Sequence, residues 1–153
     1  MNKNRIHDIV GCVISADPWH NPKILLVKRK DEGERYWPGK WCYLTEHRKL
    51  GETDEEVLTR CFREELSLPS PKYIVRGPVN VESQDPDYHE GFRIKLYQCL
   101  ATDLDDRMKI FPRPNKKEVS RWTWASSPFH FNLGIQSDQL FEERLSYLHQ
   151  RPN

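Results

Sequence analysis

The sequence predicts a sandwich of the α/β or α+β class, on three observations. Short apolar runs rich in β-branched residues recur along the chain, each closed by turn residues. Two further stretches carry helical periodicity instead. The length, 153 residues, is that of one domain, so strands and helices must share one fold. We therefore expect a single domain over 1–153.

The elements follow in order. Ile9 to Ile14 and Ile24 to Val27 are apolar runs bounded by Asp17-Pro18 and Asn21-Pro22, and read as largely buried strands. Trp41 to Leu44 is a third short strand. Thr53-Asp54-Glu55-Glu56 is a capping box, with Thr at the N-cap and Glu three residues on, and opens a helix over about 53–66. Pro69 and Pro71 forbid its continuation. Tyr73 to Val75 and Phe92 to Leu100 are two more strands, and Val119 to Trp124 is the last. A second helix is expected over about 137–149, with Leu140, Phe141, Leu145 and Leu148 on one face. Asp103 to Lys117 is a long polar connection carrying Pro112 and Pro114.

Composition narrows the partners. Lys plus Arg number 24 against 23 for Asp plus Glu, a formal net charge of +1. Such a chain has no general field for gripping nucleic acid or an acidic membrane, so an anionic ligand needs a local site. No apolar run approaches the roughly 20 residues of a membrane span. Cys12, Cys42, Cys61 and Cys99 show no CxxC pair, and three of them sit inside apolar runs. With no secretory leader, they predict a reduced, cytoplasmic protein.

The first helix does not fit its own pattern. At about 100° per residue, Val57, Leu58, Cys61, Phe62 and Leu66 fill one arc that must face the core. Glu65 falls within that arc and Glu64 just outside its edge, with Arg60 one turn earlier. A carboxylate on a core-facing arc is costly unless paired or bound to a cation. Two converging carboxylates suit a hard metal such as Mg²⁺ or Mn²⁺. On the wheel alone, Glu65 curling out to solvent fits as well, and Arg60 with Glu64 reads equally as an ordinary i,i+4 pair.

Glu52, Arg60, Phe62, Glu64, Glu65 and Leu68 together resemble the signature of the Nudix hydrolase family. That signature is Gly, five residues, Glu, seven residues, then Arg-Glu-aliphatic-x-Glu-Glu-x-Gly-aliphatic. Leu25 to Arg29, then Gly39-Lys40-Trp41 ahead of the motif, and Glu118 before Trp124 extend the likeness over nearly the whole chain. The resemblance implies an α/β/α sandwich with a mixed sheet. It also implies Mg²⁺- or Mn²⁺-dependent cleavage of a pyrophosphate bond in a nucleotide or a nucleoside diphosphate linked to a small group.

Carried over by position, the resemblance makes Glu64 and Glu65 metal ligands and pairs Glu52 with Arg60 to fix the loop against the helix. It gives the Thr45 carbonyl a place in the metal shell and makes Glu118 a distal carboxylate, either a ligand or a base. An ordinary exposed Glu fits that last position as well. Three positions depart: Glu46 and Ser67 replace glycines, and Cys61 replaces the Glu of Arg-Glu. A thiol is a poor ligand for Mg²⁺, so the third carboxylate of the cluster is missing. That loss motivates a second reading, a catalytically weak or silent relative that binds a nucleotide or a protein partner. Glu46 stands at the mouth of the metal loop as a compensating carboxylate.

On the substrate side, Arg29 matches a position that often meets phosphate. Arg93 and Lys95 share a strand face that suits either phosphate or plain solvent exposure. Trp19, Trp37, Tyr88 and Trp122 are aromatic rings of a kind that stack on a base or fill a core. His47, His89 and His130 show no ligand spacing and are given no role. The loops Ser83 to Gly91 and Asp103 to Lys117 are the expected determinants of substrate choice.

Overall fold

A computed structural model of the chain describes residues 6–16, 23–30, 37–66, 73–85, 90–100, 119–126, 133–134 and 146–150. Its spine is β1 (Ile6–Ala16), whose apolar residues alternate between two buried faces. Ile9 and Val13 enter one cluster while Val10, Cys12 and Ile14 enter the other. A strand buried on both sides needs a layer on each, as the continuous apolar run predicts.

β1 pairs with β2 (Lys23–Arg29) only at their hairpin end, through Ser15 opposite Ile24 and Ala16 opposite Lys23. Beyond that the two strands part, and the segment after residue 40 fills the wedge. β3 (Trp41–Cys42) pairs with β2, and after Tyr43 the chain crosses over so that β4 (Leu44–His47) pairs with β1. The single strand expected over Trp41 to Leu44 is therefore two, bonded to different neighbours. Gly11 makes the crossing possible: a Cβ there would lie 2.6 Å from Thr45 Cγ2 and 2.7 Å from the Leu44 carbonyl.

α1 (Asp54–Leu66) begins where the capping box places it. Thr53 Oγ1 accepts from the Glu56 amide at 3.2 Å and donates to Glu56 Oε1 at 3.1 Å. Asp54, Glu55 and Glu56 in the first turn and Arg63 in the last complement the helix dipole. Val57, Leu58, Cys61 and Phe62 are all buried against β1 and β2 side chains and Cys99 on one sheet face, as the wheel requires.

β5 (Tyr73–Asp85) and β6 (Glu90–Leu100) form an antiparallel ladder, and β6 runs parallel to β1 over ten residue pairs. The sheet is thus mixed, in the order β3-β2-β1-β6-β5, with β7 (Val119–Ala125) on β2. β5 is far longer than Tyr73 to Val75, because the break that Gly77-Pro78 signals is absorbed as a register shift in an edge strand. Ser83 to Asp85 and Glu90-Gly91, expected in a loop, are strand residues in that ladder.

The second layer is visible at its end. Residues 146–149 form a helical turn, and Leu148 is fully buried in the cluster opposite α1. The rest of the helix expected over 137–149 lies outside the described residues, as does the Asp103 to Lys117 connection. With α1 on one face of the mixed sheet and the 146–149 turn on the other, the described residues fit the α/β/α arrangement.

Candidate functional site

The loop from β4 to α1 wraps around one guanidinium. Arg60, only 9% exposed, reaches back from α1 into that loop. Its Nε donates to Glu52 Oε2 at 3.2 Å and its Nη2 to Glu52 Oε1 at 2.9 Å, a two-pronged pair. Nη2 also donates to the His47 carbonyl at 2.6 Å, and Nη1 to Glu46 Oε2 at 3.2 Å. Glu64 Oε2 stands 4.0 Å from the same Nη1, one turn further along α1. The Glu52 bonds, ahead of the Glu46 charge, hold the guanidinium more strongly protonated than usual. The Glu52 carboxyl is kept below its ordinary range by Arg60 and then by the Lys49 amide, which donates to Oε1 at 2.7 Å.

A second arginine braces the start of the helix. Arg48 Nε donates to Asp8 Oδ2 at 3.0 Å and Nη1 to the Glu52 carbonyl at 2.8 Å, while Nη2 is bonded to Asp54. Tyr97 also donates to Asp54, and Lys95 Nζ lies 4.0 Å away. Burial pushes the Asp54 carboxyl up, but the Tyr97 and Arg48 bonds outweigh it and hold it low. Loop and helix N-terminus are thus tied to β1 and β6 through ionised groups.

The structure gathers Glu46, Glu52, Arg60 and Glu64 in one place. The Glu64 side chain, 49% exposed, faces outward from that group. Glu65 is in the last turn of α1, with its side chain outside the described set. Thr45 precedes Glu46 in β4, opposite Gly11. Glu118 lies outside the described residues, as do Trp19, Tyr88, His89 and His130.

Arg29 ends β2 beside a bulge, its amide bonded to the Lys40 carbonyl at 2.9 Å. Arg93 is exposed in β6 with Asp8 and Glu82 as its cross-strand partners, so its charge is flanked by carboxylates. Trp37 packs on Phe92 with ring centroids 4.8 Å apart and φ of 48°, and serves the core. Trp122 is 37% exposed on β7.

Cys61 does not join the carboxylates. It is fully buried, in contact with the Cys12 thiol, which also meets Cys99. Burial, then those two neighbours, pushes the Cys12 thiol well up, so Cys12 is an unreactive core thiol. All four cysteines are buried and free. Among the described residues, no three His, Cys, Asp or Glu side chains already stand as a metal cage. The donor type suits a hard cation, since carboxylate oxygens line the loop and the helix end. Glu46 Oε2 and Glu64 Oε2 stand 3.2 and 4.0 Å from Arg60 Nη1, and the Cys61 sulfur is turned into the core.

One contact that sequence spacing does not signal joins residues 7, 47 and 90. His47 Nε2 is 3.2 Å from His7 Nδ1, and His7 Nε2 is 3.2 Å from Glu90 Oε2. The parallel β1–β6 register, which sets His7 opposite Phe92, and the β1–β4 pairing, which sets His47 opposite Ile9, bring the three together.

Comparison with known proteins agrees with this fold. A family profile described as NUDIX domain matches residues 5–128. No curated protein matches the chain significantly in sequence. Among solved structures, the MutT NUDIX hydrolase from Burkholderia pseudomallei is 19% identical with a TM-score of 0.67, covering 94% of this chain and 98% of that one. The NUDIX domain of Shewanella oneidensis NrtR, solved with ADP ribose, is 18% identical with a TM-score of 0.66 over 97% of this chain and 90% of that one. The Shewanella oneidensis NrtR solved with a 27mer DNA is 18% identical with a TM-score of 0.62, and is matched over 92% of this chain but 61% of its own. With the profile spanning most of its length, the chain belongs to the Nudix domain family.

Proposed function

We propose that this chain is a divalent-cation-dependent hydrolase that cleaves a pyrophosphate bond in a nucleotide or a nucleoside diphosphate linked to a small group. The observation that carries the reading is the buried Arg60, which draws Glu46, Glu52 and the Glu64 end of α1 together at one loop. The ADP ribose held by the NrtR domain supports the nucleoside diphosphate class. The near-zero net charge supports a small-molecule substrate over general binding of nucleic acid. Four reduced, buried thiols suit the cytoplasm.

Glu64 and Glu65, with the Thr45 carbonyl, would hold Mg²⁺ or Mn²⁺, and Glu46, next to Thr45 in sequence, would be the compensating carboxylate. When bound, the ion neutralises pyrophosphate oxygens and lowers the pKa of a water. The protein's own work is positioning. Glu52 and the His47 carbonyl hold Arg60, Arg60 holds Glu46, and the loop therefore keeps its shape as the anionic substrate arrives. Arg29 and Arg93 are assigned to substrate phosphate and Glu118 to a distal carboxylate.

The fully buried Cys61 favours a second reading, a nucleotide- or partner-binding relative with little or no turnover. A panel of nucleoside triphosphates, dinucleoside polyphosphates and nucleoside diphosphate sugars, each with Mg²⁺ and Mn²⁺, separates the two. The hydrolase releases product and Glu64→Gln abolishes release. Unchanged turnover in Glu64→Gln sinks the metal assignment, and binding without turnover selects the second reading.

A further inference from the structure

The loop between β4 and α1 carries a second arginine that pairs with none of the carboxylates around Arg60. Arg48 falls among the five residues that the family signature leaves undefined, yet its side chain is only 17% exposed. Leu50, the one aliphatic residue of the loop, is fully exposed, so apolar packing does not shape this segment. Polar bonds hold it instead. The Arg48 amide donates to the Asp8 carbonyl at 2.9 Å, and Arg48 Nε donates to the Asp8 carboxylate at 3.0 Å. β1 thus grips this residue by main chain and side chain together. Nη2 is bonded to Asp54 at the start of α1, which Tyr97 of β6 also holds. With the guanidinium fixed on both sides, Nη1 donates to the Glu52 carbonyl at 2.8 Å.

Glu52 is consequently clamped at both ends, its main chain by Arg48 and its carboxylate by Arg60. Lys49 closes the turn between them, its amide 2.7 Å from Glu52 Oε1 and its carbonyl 3.0 Å from the Glu52 amide. What Glu52 holds is a competitor for the cation. Arg60 Nη1 lies 3.2 Å from Glu46 and 4.0 Å from Glu64. The Glu64 pair is loose at that distance, and a short slip of the guanidinium would close it. Acids neutralised in this way lose their attraction for a divalent ion.

We propose that Arg48 is the positioning residue of Arg60: by fixing the Glu52 main chain, its fork keeps Arg60 on Glu52 and off Glu64, and so sets cation affinity. The cation itself rests on the function proposed above. Charge alone does not suffice. A lysine ammonium can neutralise Asp8 or Asp54 but lacks the planar fork that spans both and Glu52.

The test reads two quantities in the full chain: Mn²⁺ affinity by calorimetry, and the ¹⁵N-resolved Arg60 Nε–H resonance in metal-free protein. Arg48→Lys should shift that resonance and weaken Mn²⁺ binding about tenfold, the scale for losing a supporting partner. Val57→Ala is the stability control, a buried truncation on the same helix that removes none of these bonds. It should lower the unfolding midpoint and leave both quantities at their parental values. In the Glu52→Gln background, Arg48→Lys should cost no further affinity, since both changes act on one path. Mn²⁺ affinity within twofold of the parent in Arg48→Lys, an unmoved Arg60 resonance, equal losses in Val57→Ala, or additive losses in the double variant overturns the inference. A parent that binds no Mn²⁺ removes the cation reading above, and the metal-free Arg60 resonance then decides the role of Arg48 alone. Equal Mn²⁺ binding by the parent and Arg48→Lys does the reverse.

Discussion

Replacing Cys61 with the Glu of the family signature restores the motif on paper, and the fold predicts that it damages the protein. Residue 61 has no solvent exposure and shares its space with Cys12, Leu58 and Phe62. The longer side chain overpacks this cluster, at a cost of about 1–3 kcal/mol. A carboxyl in such surroundings has its pKa raised by about 3–5 units. Its folded pKa then exceeds its unfolded one, so stability is retained at acid pH and lost as pH rises toward the folded pKa. The slope is about 1.4 kcal/mol per pH unit, and the full loss of about 4–7 kcal/mol is a large share of the 5–15 kcal/mol of an ordinary domain.

Urea unfolding followed by tryptophan fluorescence at pH 5 and pH 8 reads this directly. Cys61→Gln supplies the control, being overpacked but unable to ionise. Cys61→Glu should fall below Cys61→Gln at pH 8 and approach it at pH 5. Equal stabilities at pH 8, or a Cys61→Glu protein that Mg²⁺ stabilises, would refute the reasoning. Either result means that position 61 opens toward the cation and not into the core.

Two further outcomes follow from the same contacts. His149 lies beneath the sheet with Nε2 3.0 Å from the Tyr43 hydroxyl, and burial lowers its pKa to about 4. Folded His149 stays neutral where the unfolded residue protonates, so about 3 kcal/mol of stability present above pH 6.5 should drain away as pH falls toward 4; His149→Gln should flatten that part of the urea-midpoint profile. Arg60→Lys keeps the charge but not the fork that spans Glu52, Glu46 and the His47 carbonyl. It should lower stability by about 2 kcal/mol in thermal unfolding and depress kcat of any turnover with little change in KM.

What the sequence disclosed and what it concealed divide along physical lines. The core strands were legible because Ile9, Val10, Ile24 and Leu25 are β-branched or apolar residues with no polar use. α1 was legible because its cap and its buried face repeat within one helix. The Glu52–Arg60 pair was legible only through the family resemblance, since a loop and part of a helix separate the two in sequence. β5 was not, because Gly77-Pro78 looks like a stop and only its edge position lets the strand run on. His7, His47 and Glu90 were not, because strand pairing over long separations brings them together and no local pattern encodes it.

The sequence already offered Glu46 as a carboxylate compensating for the acid missing at Cys61, and the structure shows where each of the two side chains goes. The signature places a third acid on the helix. This chain turns that position into core and puts a carboxylate on β4, 3.2 Å from the nitrogen that Glu64 also approaches. Acidic groups therefore still surround Arg60, with one of them supplied from the other side. If that displaced carboxylate helps to hold the cation, Glu46→Gln should weaken Mn²⁺ binding by at least about tenfold in calorimetry, the usual scale for losing a supporting group. Because the amide keeps the size and can still accept from Arg60, the loop should survive the change, and an unaltered unfolding midpoint would verify that it does. Should the charge serve only to neutralise Arg60, its removal frees the guanidinium to pair more closely with Glu64, but leaves Mn²⁺ affinity within twofold of the parent. That result would reduce Glu46 to a structural partner and leave the helix short of a carboxylate with nothing in its place.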